Sequence, residues 1–168
     1  METESTNETP KEIKHLYALI GSIASTWSHI EQSVDVTLWS LAGLDAHVGA
    51  CLTAQISSLT YRLDALAALV ELRGGSQELK KSIKEFHEKT YALSIARNRA
   101  VHDPIAIVDN GAVAITITAR KSLAFDISAT KKAEYTKTNS EITGLLRRYS
   151  ELAKKIETEI SRPAPRPI

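Results

Sequence analysis

The chain has 168 residues, 43% hydrophobic and 24% charged, with one more basic than acidic residue. This is ordinary globular composition, and the length suits one domain with a real core. A single cysteine, Cys51, excludes an intramolecular disulfide and suits a reducing cytoplasm. No apolar run approaches the roughly 18 residues of a membrane helix, so no membrane partner is expected.

The small net charge hides an asymmetry. Residues 1–72 carry 3 basic against 9 acidic residues, 73–102 carry 7 against 3, and 103–168 carry 11 against 8. The basic part of the chain therefore begins near residue 73, which fits a phosphate-bearing ligand in that region. The same charges also read as solvated Lys on ordinary helix faces.

In chain order, residues 1–9 are acidic and polar, show no signal peptide, and are expected to be disordered. Thr9-Pro10-Lys11-Glu12 forms a capping box with Pro at the first helical position. Ile13, Leu16, Ile20, Ile23, Trp27, Ile30, Val34, Leu38 and Leu41 then hold a three/four rhythm, so a long amphipathic helix runs to Gly43. Trp27 and Trp39 read as core or interface anchors. His29 and Glu31 lie near Trp27, but no His-Glu-x-x-His spacing exists, and no metal or other cofactor is implied. Asp45 caps a second helix over 46–57, with Val48, Leu52 and Ile56 expected inward and Cys51 a small core residue. A third helix starts at Ser58 or Thr60 and stops at Gly74-Gly75. Its Ala65, Ala67 and Ala68 would allow close helix approach.

Ser76 caps a fourth helix, with Glu78 in its first turn. Leu79, Ile83, Phe86, Thr90 and Leu93 make its apolar stripe. Pro104 drives Asp103 out of the α region, so the helix should stop near His102. Continuing the stripe at about 100° per residue puts Arg97 on the core face. Asn98 and His102 fall on a flank shared with His87, Tyr91 and Ile95. A guanidinium on a core stripe is costly unless paired or turned to something polar. The plainest reading is a buried Arg satisfied by a carboxylate or by helix-end carbonyls, with Asp103 the nearest candidate.

The residues Arg97-Asn98-Arg99-Ala100-Val101-His102 resemble the R-N-x-x-x-H signature of the HEPN superfamily. The resemblance covers these six residues, together with a position late in a helical chain. It implies an up-and-down α-helical bundle in which two motifs meet across a homodimer and form a metal-independent ribonuclease site. It assigns Arg97, Asn98 and His102 as catalytic, with products ending in a 2′,3′-cyclic phosphate and a 5′-hydroxyl. The implied setting is a bacterial toxin or phage defence, with RNA as substrate and an antitoxin protein as a further partner. Some toxins of the family carry a Tyr two residues after the His, modified by a partner nucleotidyltransferase. Here that position is Pro104, which puts such control in doubt. Arg99 lies about 200° from Arg97; it joins His87, Tyr91, Arg120 and Lys121 as candidate substrate contacts.

The chemistry suits these residue types. His has an unperturbed pKa of about 6.5, near neutrality, and a helix C-terminus favours its charged form. Arg is a permanent cation whose planar fork matches phosphate oxygens. Two further readings stand beside the nuclease: a non-catalytic module of the same fold that binds RNA, a nucleotide or a protein, and a plain dimeric helical scaffold.

After Pro104 the period changes from 3.6 to 2. Ile105–Val108 is expected to pair with Val113–Ile117, turning at Asp109-Asn110-Gly111, with a short third strand at Leu123 and Phe125. The last helix spans about 131–161 with Ile142, Leu145, Tyr149, Leu152, Ile156 and Ile160 inward. The Pro-rich residues 162–168 are expected to be a disordered tail. The fold class is thus mainly α, one domain over 10–161, with a small β-hairpin at about 105–118 before the last helix.

Overall fold

Four helices carry the core. The computed structural model describes residues 11–108, 111–118, 124–129 and 132–160. In order these form α1 (Lys11–Ala42), α2 (Ala46–Thr53), α3 (Leu59–Leu72), α4 (Gln77–His102), β1 (Ile105–Val108), β2 (Gly111–Thr118), β3 (Ala124–Ala129) and α5 (Lys132–Ile160). The fold is mainly α with a small antiparallel sheet before the last helix. The segments 1–9 and 162–168, the expected capping residues Thr9 and Pro10, the expected turn residues Asp109 and Asn110, and Leu123 of the expected third strand lie outside the described residues.

The α1 seam packs as its spacing predicts, with Ile23, Trp27, Ile30, Val34, Leu38 and Leu41 all buried. One detail differs: Leu19 is buried where Ile20 was expected, and Ile20 is only half-buried. The seam meets α5 through Ile142, Leu145, Tyr149, Leu152, Ile156 and Ile160. The Tyr149 hydroxyl donates to Thr37 Oγ1 at 2.8 Å, and its ring lies 5.3 Å from that of Phe86 on α4. Burial pushes the Tyr149 hydroxyl's pKa far upward, so it stays a neutral donor.

α2 is shorter than expected and turns the other way. It ends at Thr53, and Val48 and Leu52 are 46% and 54% exposed. Cys51 is also exposed rather than in the core. The inward positions are Gly49 and Thr53. The reason is Trp39: its ring fills the space a Cβ on Gly49 would need, with Cγ 2.4 Å from that position. Its indole N–H donates to Thr53 Oγ1 at 3.3 Å. A large flat ring selects the smallest residue opposite it, and the aliphatic side chains are left outside. Arg62 closes the loop that follows, donating to Ile56 O at 3.3 Å from Nε and to Asp35 Oδ2 at 3.1 Å from Nη1.

α3 starts on the cap Ser58, whose hydroxyl accepts from the Tyr61 N–H. It buries Leu59, Leu63, Leu66 and Val70. Of its three alanines only Ala65 packs against the core; Ala67 and Ala68 are exposed. The Arg73 guanidinium donates to the carbonyl of Leu41, binding the end of α3 to the end of α1. Gly74 then takes φ +75°, a left-handed turn at little cost to glycine.

α4 follows its predicted bounds. The Ser76 hydroxyl caps it by accepting from the Leu79 N–H, and the Ser76 N–H donates to Glu159 of α5. Asp103 has φ −70° and ψ 125°, the extended geometry that Pro104 demands. Leu79, Ile83, Phe86 and Thr90 are buried as expected.

The sheet has the order β1-β2-β3, antiparallel throughout. Its register differs from expectation. Ile105 faces Ala114 and Val108 faces Gly111, so β1 pairs with 111–114 and not with 113–117. The outer half of β2 pairs instead with β3, Ile115 facing Ile127 and Ile117 facing Phe125. Val108 faces Gly111 with only two residues between them in sequence, and that short spacing leaves β1 no partner further along β2. Two bonds tie the sheet to the end of α4: Ile115 N–H to Pro104 O at 2.9 Å and Thr116 Oγ1 to Asp103 Oδ2 at 2.8 Å.

Candidate functional site

The last two turns of α4 bring Arg97, Asn98 and His102 together. Arg97 is half-buried, while Asn98 and His102 are exposed. Arg97 Nη1 donates to Asn98 Oδ1 at 3.0 Å and lies 3.3 Å from His102 Nε2. Arg97 has donors only, so His102 Nε2 must be the acceptor and the ring proton sits on Nδ1. A proton on Nε2 would set two donors against each other.

Below the guanidinium lies Trp27 of α1, its ring centroid 5.8 Å from the Arg97 carbon. The Trp27 indole N–H donates to Glu31 Oε1 at 3.1 Å. Arg97 Nε is buried without a hydrogen-bond partner. The expected carboxylate partner is otherwise engaged, since Asp103 accepts the Thr116 hydroxyl. Asp103 also sits near Tyr135 of α5, whose hydroxyl is held above its ordinary range first by burial and then by the charges of Asp103 and Glu134. Arg97 therefore meets an amide oxygen and an imidazole nitrogen through Nη1 and an aromatic face below, none of which neutralises it, and its Nε is left without a partner.

No contact of the other sequence candidates with this trio is found among the described residues. His87 is half-buried, with Nε2 3.3 Å from Asp64 Oδ1 of α3, an ion-pair distance without hydrogen-bond geometry. Tyr91 is 59% exposed on the stripe that leads toward Asn98 and His102. Arg99 is exposed. Arg120 and Lys121 lie outside the described residues. Among the described residues no three His, Cys, Asp or Glu side chains are grouped to hold a metal ion, and no helix is long and apolar enough to cross a membrane.

Two groups were not singled out from sequence as parts of charged clusters. The Asp35–Arg62 pair is shielded, with 14% and 15% of the side chains exposed, and Asp35 Oδ1 is buried without a partner. Burial raises the Asp35 carboxyl pKa above 3.8, Arg62 pulls it down, and Glu31 pushes it up again. The contact of Trp27 with Arg97 joins residues far apart in the chain, and helical periodicity carries no signal for such a pair. The chain matches no family model, no curated protein and no solved structure.

Proposed function

We propose that this chain is a metal-independent endoribonuclease of HEPN type, working as a homodimer in the cytoplasm in a toxin or phage-defence role. The observation that carries the reading is the 3.3 Å approach of Arg97 Nη1 to His102 Nε2, with Asn98 on the same nitrogen. A cation and an unprotonated imidazole nitrogen share one exposed helix end, with no carboxylate neutralising the cation among the contacts described above. That is the pairing phosphodiester cleavage needs: charge for the phosphoryl oxygens and a base for the 2′-hydroxyl.

In the proposed step the RNA phosphate takes Arg97 as its partner, and His102 Nε2 is released to accept the 2′-hydroxyl proton. The 2′-oxygen bonds to phosphorus, and the bond to the 5′-oxygen breaks. That oxygen leaves with a proton from a second imidazole. One copy brings one motif imidazole, so His102 of the partner subunit is the natural acid across a two-fold axis. The products are a 2′,3′-cyclic phosphate and a 5′-hydroxyl.

The test is cleavage of a mixed-sequence RNA in EDTA by wild type and His102→Ala. Wild-type cleavage with cyclic-phosphate ends, lost in the variant, supports the reading. Saturable RNA binding without cleavage points instead to the non-catalytic module. Cleavage that EDTA abolishes rejects the metal-independent mechanism.

A further inference from the structure

The contact between Trp27 and Arg97 crosses from the first long helix to the end of the motif helix. Trp27 is 4% exposed, and its ring edge is occupied by the bond to Glu31 Oε1. The indole is therefore held at two places: its body by the core, its N–H by a carboxylate. The guanidinium carbon sits 5.8 Å from the ring centroid, within the range at which a cation is drawn to an aromatic face. A long, flexible side chain gains a fixed support, and less freedom remains to be lost when a ligand arrives.

We infer that Trp27, locked by Glu31, is the positioning residue of this anion site: it sets the plane of the Arg97 guanidinium so that Nη1 meets Asn98 and His102 and the cation faces a phosphodiester of single-stranded RNA. The choice of RNA as ligand rests on the nuclease reading above; the platform itself does not. If Trp27 were only core volume, an aliphatic side chain would serve Arg97 as well. A platform needs a π face, so Phe should replace it in part and Leu should not.

The test has two arms on the full chain. In the free protein, the ring should shift the Arg97 side-chain protons upfield and slow exchange of its Nε–H, both read by NMR. Trp27→Phe should keep most of this signature and Trp27→Leu should lose it. In the second arm, an uncleavable 2′-O-methyl oligouridine is titrated. Trp27→Leu should bind about 10-fold more weakly, with Trp27→Phe within about 3-fold of wild type. Glu31→Ala, which frees the ring edge without touching the core, should fall between them and serves if Trp27→Leu does not fold. A folded Trp27→Leu or Glu31→Ala with unchanged Arg97 resonances overturns the platform, as does unchanged oligonucleotide affinity. Wild type that shows the signature but binds no RNA overturns the functional reading and the positioning role with it. Wild type that binds RNA without the signature overturns the Trp27 assignment alone.

Discussion

At the scale of single residues, the two motif side chains should fail differently when removed. His102→Ala should lower the cleavage rate by about 10²–10⁴-fold while leaving RNA affinity nearly unchanged, because it removes a proton carrier. Arg97→Ala should cost about 10²–10³-fold in rate. It should also weaken binding and flatten the salt dependence of affinity, because a phosphate contact is gone. His102 is exposed, so its loss should leave the melting temperature almost unmoved. Rate measurements, salt titrations and thermal melts separate these outcomes; full activity in both variants rejects the roles. Asp35 carries a separate prediction. Its pKa is raised above 3.8, chiefly by burial, so the folded state holds its proton more tightly than the unfolded state. Between 3.8 and the raised value the folded state binds more protons, and stability from this group falls as pH rises. Denaturation should show the stability of wild type falling relative to that of Asp35→Asn as pH climbs from 3.8 toward neutrality. Wild type gaining stability relative to the variant over that window rejects the assignment. The motif trio was legible in the sequence because spacing on one helix fixes which residues share an end. The supports of the trio were not, because Trp27 reaches it across the core.

Among the elements, the long helices were legible and α2 was not. α1, α4 and α5 are long enough for a stripe to repeat many times, and Ser76 and Pro104 mark the ends of α4 chemically. An eight-residue helix offers barely two turns, and Val48 and Leu52 gave it a plausible but wrong inner face. The deciding partner is the Trp39 ring, and only the three-dimensional arrangement shows that it demands a glycine. Gly49→Ala should therefore destabilise the protein. The helix propensity gained is about 1 kcal/mol, while pressing a methyl into a pinned indole costs about 1–3 kcal/mol. Gly21→Ala is the matched control, since an added Cβ there meets nothing within 4 Å in the middle of α1. It should stabilise by about 0.5–1 kcal/mol. Chemical denaturation of the pair reads the difference, and equal effects would reject the account of α2. The strand register was missed for a related reason. Period-two alternation identifies strands but leaves the pairing partner of each half of β2 open.

At the scale of the whole molecule, the homodimer is the central expectation. Sedimentation should give twice the 18.4 kDa chain mass, and cross-links placed at Asn98 should join the two copies. A monomer at micromolar concentration, or a dimer whose motifs cannot be cross-linked, counts against a shared cleft. The exposed Tyr91 and Ile95 on the same stripe of α4 give such an interface apolar contact area beside the polar trio.

The pairing of α1 with α5 also bears on how the molecule is made. Thr37 meets Tyr149, and the groove beside them is lined further along by Leu41 of α1 and by Ile156 and Ile160 of α5. The first and last helices of the described chain thus run side by side in the same direction. A ribosome that has just released β3 has delivered the motif and the Trp27 beneath it, yet α1 still shows the apolar seam that α5 will cover. The nascent chain must keep that seam out of mischief until the final helix emerges. The bundle around the motif is therefore completed only once α5 has been made, and a chain cut before it leaves the α1 seam uncovered.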